Sequence, residues 1–329
     1  NMKKYLFLLS IILLFTGCSS YTELNELSIV DTLGIDYIDN KYYLVMNVIE
    51  GKLNDKDLEE EFTTYQTSGD TLEECFHEIY LQSPKRLYLS HIDLLVLTDN
   101  SINNKFMEII HNFLKNNEYR NNFNVVLLKD TSLKDFMNKQ IPSKNINNLI
   151  KTNHKETGIT KPQDLETIMR EILIDKNTYL PTISYDNNLT ISGFTLIKDY
   201  HIFEQLSEKE SIILNLLHNE IKKTYLNNNN ILDNQTIITT KNNNINIRFI
   251  TTIMEDNNYK ALTKEDIISF LNKYKDRDYD VLKLCDKVKK NNYYYYNKTD
   301  NLLSKLTFSI NFHIMIKENY LQGDLYETR

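Results

Sequence analysis

The chain is poor in the residues that loop-borne chemistry requires. It has seven glycines and four prolines in 329 residues, and none of the glycines falls into G-x-x-x-x-G-K-[ST], G-x-G-x-x-G or G-x-S-x-G. A phosphate-cradling loop turns several backbone N–H groups inward and a nucleophile elbow holds a strained turn, and both depend on glycine for that freedom. Those nucleotide-binding and hydrolase chemistries are therefore excluded. H-E-x-x-H is absent too, and His77, His91, His111, His154, His201, His218 and His313 stand singly, without the spacing that zinc sites use. A basic excess is also lacking: 38 Lys and Arg face 45 Asp and Glu, a net charge of −7, which gives no footprint for nucleic acid. Glu59-Glu60-Glu61 and Glu73-Glu74 read as solvated loops or first turns of helices, where acids complement the helix dipole, rather than as acid/base pairs. Of three cysteines, Cys75 and Cys285 lie far apart; a disulfide is open to an exported protein, but Cys75 sits on an apolar helical face and reads better as a small buried hydrophobe.

The chain's most telling segment is its start. Lys3-Lys4, the apolar run Tyr5 to Phe15 and Thr16-Gly17-Cys18-Ser19-Ser20 are the three parts of a secretory signal, with a cysteine where cleavage is due. A Cys directly after a small residue at the end of the apolar run reads as a lipobox, in which the thiol takes a diacylglycerol. Residues 1–17 are then a lipoprotein signal peptide, Cys18 is the lipidation site, and 18–26 form the lipidated start and a polar spacer. The competing readings are an ordinary secretory signal with an incidental cysteine, and a transmembrane helix, which needs about 20 apolar residues. Tyr5 to Phe15 is too short to span, and no later segment approaches that length. No polybasic patch follows Cys18.

The body reads as a mixed α/β, multi-domain protein, each domain a β-sheet with flanking helices. Leu27–Ile38 and Tyr42–Ile49 are β-rich and joined by Asp39-Asn40, a hairpin signal. A polar loop is expected over Glu50–Glu61. Thr71-x-x-Glu74 is a capping box before a helix whose buried stripe is Leu72, Cys75, Phe76, Ile79 and Tyr80. Leu87–Leu97 supplies strand, a second helix carries Phe106, Ile109, Ile110, Phe113 and Leu114, and Phe123–Leu128 is a third apolar strand. Short helices follow around Ser132–Lys139 and Lys144–Lys151, then a stripe of Leu165, Ile168, Met169, Ile172 and Leu173. Pro181 and the turn Asp186-Asn187-Asn188 mark the expected boundary between an N-terminal α/β region, 27–188, divisible into two subdomains, and a C-terminal α/β domain, 189–329.

In the second half, strands over Leu189–Ile197 and His201–Gln205 precede a capping box, Ser207-x-x-Glu210, and a stripe of Ile212, Ile213, Leu216, Leu217 and Ile221. The tracts Asn227–Asn230 and Asn242–Asn244 read as turns around strand-like Ile237–Thr240 and Ile245–Met254. Thr263-x-x-Asp266 opens another helix. Leu306 to Ile316 alternates apolar with polar residues, a half-buried strand with His313 on the face opposite the apolar stripe.

In this order the pieces resemble the Ger(x)C lipoproteins, the C subunits of bacterial spore germinant receptors. The carriers are the lipobox at Cys18; Glu23-Leu24-Asn25-Glu26-Leu27-Ser28-Ile29-Val30 leading to Gly34-Ile35-Asp36; Ser83-Pro84-Lys85-Arg86-Leu87-Tyr88-Leu89-Ser90-His91; Ile191-Ser192-Gly193-Phe194 to Leu206-Ser207-Glu208-Lys209-Glu210-Ser211; and a closing strand with Gly323. Tryptophans usual near that family's last strands are missing, and Tyr293-Tyr294-Tyr295-Tyr296 stands there instead, readable equally as an interface hot spot or a partly buried strand edge. The resemblance implies three α/β domains on the outer face of the spore's inner membrane, lipid-anchored, assembled with integral-membrane A-type and B-type subunits. It implies no cofactor and no catalysis. From the residues themselves, His91 reads as a satisfied structural histidine, and Gly34 and Gly193 serve backbone geometry or close packing. A solute-binding lipoprotein of a transporter and a surface hydrolase are the competing function classes.

Overall fold

The computed structural model of the chain describes residues 27–51, 60–116, 118–221, 223–226, 229–241, 244–254, 264–280 and 306–317. Strand β1 (Leu27–Ile38) and β2 (Lys41–Gly51) form the expected hairpin, and Asp39 and Asn40 both take positive φ, 52° and 60°. Two left-handed residues in a two-residue loop match the twist of the strands, which is why Asp-Asn suits this turn. Seven consecutive residues of β1, Val30 to Asp36, are buried. It is a central strand covered on both faces, so it shows no apolar/polar alternation with exposure, and its polar residues Asp31, Thr32 and Asp36 are buried with the rest.

The first sheet is ordered β3 (Glu60–Gly69), β2, β1, β5 (Leu94–Thr98), β6 (Asn124–Lys129), β7 (Asn177–Tyr185), β8 (Leu189–Lys198) and β9 (His201–Gln205), with β4 (Arg86–Tyr88) added beside the start of β1. Strands β4, β5 (Leu94–Thr98) and β6 (Asn124–Lys129) run parallel to their neighbours. One face packs on α1 (Leu72–Gln82), α2 (Asp99–Lys115) and α5 (Leu165–Asp175), with Phe76, Ile79, Phe106, Ile109, Phe113 and Ile168 in its core. The other face carries Val45, Leu94, Val96 and Val126 and is covered by α3 (Leu133–Met137) and α4 (Ser143–Glu156). Alternate residues of one strand, such as Leu94 and Leu95, enter opposite cores.

Several sequence expectations are corrected. The polar stretch expected to remain loop through Glu61 becomes strand at Glu60: β3 (Glu60–Gly69) pairs antiparallel with β2, Thr63, Thr64, Tyr65 and Thr67 being good strand formers that mask no apolar stripe. Leu87–Leu97 is broken into β4, a 3-10 turn at Leu89–His91, and β5. The box at Thr71 is one-sided, since Thr71 Oγ1 accepts from Glu74 N–H but the Glu74 carboxylate accepts from Asp70 N–H. Tyr80, Leu114 and Leu173, placed by periodicity on buried faces, are 39%, 40% and 81% exposed, each at the margin of its stripe near a helix end.

The expected division after residue 188 falls in the hairpin between β7 (Asn177–Tyr185) and β8 (Leu189–Lys198), which remain hydrogen-bonded members of the first sheet together with β9 (His201–Gln205). Pro181 sits inside β7 at a register shift, the kind of place where a missing donor is tolerated. Tyr179, Phe194 and Leu196 from these strands turn their side chains into a second core, built with α6 (Glu208–Leu217), α7 (Lys264–Asp276) and a four-stranded sheet. That sheet is ordered β10 (Thr224–Leu226), β11 (Asn229–Lys241), β12 (Asn244–Met254) and β13 (Thr307–Lys317), with β12 and β13 parallel. Asn229 and Asn230, read as turn residues, are strand residues paired with β10.

Candidate functional site

Cys18, the predicted lipidation site, lies outside the described residues, as do Cys285, Tyr293 to Tyr296 and Gly323. Glu23 to Glu26 of the opening motif lie outside the described residues too, and several of the motif residues that are described have a local physical role. At Gly34 in β1, an added Cβ would come within 2.7 Å of a Leu133 methyl, so the absence of a side chain is what lets α3 close on the sheet. Asp36, nearly buried, accepts from Tyr37 N–H at 2.8 Å and from the Thr98 hydroxyl. Thr98 is in turn the N-cap of α2, in a reciprocal box with Ser101. The Gly-Ile-Asp run thus fixes two helices on opposite faces of the sheet.

Asp31, on the same strand beside its bulge, reaches across the chain to α4. Its carboxylate accepts from Ser143 N–H at 2.8 Å, from Ser143 Oγ at 2.6 Å and from Thr32 Oγ1 at 2.9 Å. Pro142 has no side chain with which to cap α4, and Asp31 supplies the missing acceptor from a distant strand. Burial and the Asp31 charge raise the carboxyl of Asp93 above its ordinary value. Near the other end of β1, Tyr42 donates to Glu108 at 2.6 Å while Lys105 bonds Glu108 at 2.8 Å and lies 5.3 Å from the Tyr37 ring centre. The ammonium of Lys105, ahead of the Tyr42 hydroxyl, holds Glu108 below the usual carboxylate range. Cys75 is a buried thiol 3.7 Å from the Tyr42 carbonyl, pushed up to about 11 chiefly by burial, and is therefore not a nucleophile at neutral pH.

The Ser83 to His91 segment positions β4. Ser83 Oγ donates to Lys85 O at 2.7 Å, Leu87 and Leu89 are buried, and Arg86–Tyr88 pairs with Leu27–Ile29. His91 corrects its sequence reading: the side chain is exposed, with its ring 5.7 Å from that of Tyr88, rather than enclosed. Gly193 has φ +86° and a Cβ there would collide with Ser211 Oγ, so it meets both conditions that favour glycine. The Ser207–Glu210 box beside it forms as expected, with both bonds present.

A seam not anticipated from sequence joins the two cores. Lys273 of α7 lies 2.8 Å from Glu204 of β9 and 2.7 Å from Glu210 of α6, and Arg277 pairs with Glu204 while covering the Phe203 ring at 4.2 Å. Tyr279 OH donates to Thr178 O and Ile197 O, locking the end of this segment onto β7 and β8. Burial opposes the charge on Glu210, but hydrogen bonds from Lys273 and Ser207 win and hold it below its ordinary value. Partners separated by more than sixty residues leave no periodic signal, so only the capping box of Glu210 was legible in advance. The arrangement clamps two packed units; it brings no nucleophile, base and oxyanion donor together.

Among the described residues no group of three or more His, Cys, Asp or Glu is placed to hold a metal ion, and no helix is long and apolar enough to cross a membrane. Comparison with known proteins agrees with the motif geometry. A sequence model of the prokaryotic membrane lipoprotein lipid attachment site matches residues 2–19. Spore germination protein KC of Bacillus subtilis (strain 168) is 23% identical over 195 residues, which are 54% of this chain and 46% of that protein, so the chain matches about half the length of this curated relative. The crystal structure of the GerBC protein superposes with a TM-score of 0.52, covering 86% of this chain and 96% of that one at 14% identity, a likeness of fold. The model of the spore germination protein N-terminal domain matches residues 20–185, half of the chain and the whole of the sheet from β1 to β7, and the chain accordingly belongs to the Ger(x)C family of spore germinant receptor lipoproteins.

Proposed function

We propose that this protein is the lipid-anchored, non-catalytic C subunit of a nutrient germinant receptor, needed for receptor assembly and for passing the germination signal. The observation that carries the reading is the family match across the first sheet, directly preceded by a lipid attachment site that contains Cys18. Acylation at Cys18 confines the body to the outer face of the spore's inner membrane, where integral-membrane A-type and B-type subunits are its partners. Tethering raises the effective concentration of those partners, so individually weak contacts suffice for assembly. The geometry supports a rigid adaptor: two cores share strands β7 to β9, and an ionic seam holds them together. Spores lacking the protein should lose the response to one class of nutrient while germinating normally by receptor-independent routes. A normal response to every nutrient, or hydrolysis of a wall or peptide substrate by the pure protein at enzyme-like rates, would remove this reading. Cys18→Ala should leave an unlipidated precursor, seen as loss of metabolic lipid label.

A further inference from the structure

Strand β1 begins nine residues after Cys18, and an extended chain covers at most about 3.3–3.6 Å per residue, so its first residue lies within roughly 30 Å of the acylated position. The direction of the elements then sets which end of the first sheet lies nearest the tether. Strands β1, β4, β5 and β6 all run away from that end, and α1 and α2 run back to it, finishing at Gln82 and Lys115. Leu27, where the tether enters, pairs with Arg86 of β4. Ser90 Oγ donates to Glu118 O, and the Tyr80 hydroxyl lies within the fields of Glu118 and Arg86, so the last turn of α1, β4 and the segment after α2 are neighbours.

This end concentrates features that are scattered elsewhere. Of the six large apolar residues exposed among the described residues, three are here: Tyr80 at 39%, Leu81 at 68% and Leu114 at 40%. Exposed Arg86, Lys115 and Arg120 accompany them, in a chain whose net charge is −7. The acids at this end are Glu118, whose field reaches the Tyr80 hydroxyl, Glu78, exposed one turn before Leu81, and Glu73, which accepts from Asn112 of α2 at 2.9 Å and is thereby partly engaged. Isolated leucines between cations lack the contiguous apolar centre of a protein interface, but they are what shallow insertion among anionic headgroups needs. Arginine and lysine stems lie along the apolar surface while their heads stay at the phosphates.

We propose that this end of the first sheet docks on the surface of an anionic bilayer, with Leu81 and Leu114 entering the headgroup region and Arg86, Lys115 and Arg120 bound to lipid phosphates. The inference rests on the reading of Cys18 as the anchor, and it adds an orientation: the sheet stands with its hairpin tip, Asp39-Asn40, pointing away from the membrane. Ile38, exposed at that far tip, lies about 36 Å from Leu27 along the strand and is a natural control.

The test uses the acylated full chain in vesicles of phosphatidylcholine with and without phosphatidylglycerol. Nitroxide labels are placed one at a time through Leu81→Cys, Leu114→Cys and Ile38→Cys in a Cys285→Ser background, Cys75 being buried. With the anionic lipid, labels at 81 and 114 should collide several-fold more with oxygen than with a water-soluble nickel chelate, and the label at 38 should show the reverse. The triple variant R86E/K115E/R120E, with an unchanged circular dichroism spectrum, should return the first two labels to water. Labels at 81 and 114 that behave like that at 38 would overturn the proposal. So would labels shielded only when the membrane subunits are co-reconstituted, which would make this a protein-docking face. Mass spectrometry of the N-terminal peptide reports acylation separately, and unlipidated protein held by an N-terminal histidine tag on nickel-chelating lipid tests the face without it.

Discussion

The two cores of this molecule solve the same burial problem differently. The first sheet is covered on both faces, so β5 reads Leu94-Leu95-Val96-Leu97 without interruption, each residue 0% exposed. The second sheet has helices α6 and α7 against its core, while Asn246–Asn311 and Asn244–Ser309 hydrogen-bond on an exposed face. Its last strand alternates accordingly, with Ile310 buried and Thr307, Asn311 and His313 exposed. Two-sided burial makes a rigid body with little surface to spare; one-sided burial leaves a polar sheet face and concentrates the structural charges at the seam.

If that contrast is right, one charge should be most damaging in the doubly covered sheet. Leu95→Asp is expected to cost about 5 kcal/mol or more and abolish cooperative unfolding, whereas Leu216→Asp, in the second core, should cost about 3–4 kcal/mol. Lys223, exposed at a paired surface site, serves as the control for the same substitution. Chemical denaturation of the three variants decides it, and a Leu216 variant as stable as the parent would show that the second core does not depend on α6. Next in size is Gly193→Ala, which adds a side chain at positive φ against Ser211 and should cost about 1–3 kcal/mol. Gly193→Ala measured in a Ser211→Ala background, where the clashing hydroxyl and its bond from Phe194 N–H are already gone, should show the backbone part alone, a partition that thermal melts of the single and double variants can read.

The seam gives a smaller and pH-dependent effect. Lys273→Ala should destabilise by about 1–2 kcal/mol, less than the orphaning of a fully buried charge because the Lys273 side chain is 35% exposed. Glu210 is depressed in the folded state, so its contribution is present above the ordinary carboxylate value and is lost as pH falls through the folded one. Asp93, raised in the first sheet, has the opposite sign: its protonated form is favoured by folding, and that contribution is present below the unfolded value and is lost as pH rises through the folded one. Melting temperature should therefore fall on acidification below about pH 4.5, and Glu210→Gln should flatten the slope. The least effect is expected from His91→Ala, within about 0.5 kcal/mol, because the ring is exposed. A larger loss measured by the same melt would restore a structural role for it.

Most of the first sheet was readable in sequence because its elements carry strong local signals. Doubly buried strands show as apolar runs, helices as stripes, and Asp39-Asn40 as a turn with a mechanism. Strand β3 was missed because its threonines, Glu60, Glu61 and Gln66 give no stripe, and its pairing with β2 depends on a partner rather than on itself. The motif residues Gly34 and Asp36 were visible as a pattern, but Leu133 and Thr98, which explain them, lie 99 and 62 residues away. The seam was hidden for the same reason. The mixed α/β class was legible; that the strands around residue 188 hydrogen-bond to one sheet and pack into the other core was not.

The parallel pairing of β12 with β13 sets the order in which the molecule can be completed. About fifty residues separate the two strands, so the loop between them must close before any of their contacts contribute. Every strand pairing of β1 to β9 is made within residues 27–205, so the first sheet can pair while the C-terminal part is still emerging. Until β13 arrives, β12 has an open edge, a template for pairing with another chain. Truncation shortly before β13 should therefore yield a protein that keeps its first core, spoils its solubility, and is cleared by quality control rather than secreted as a stable fragment.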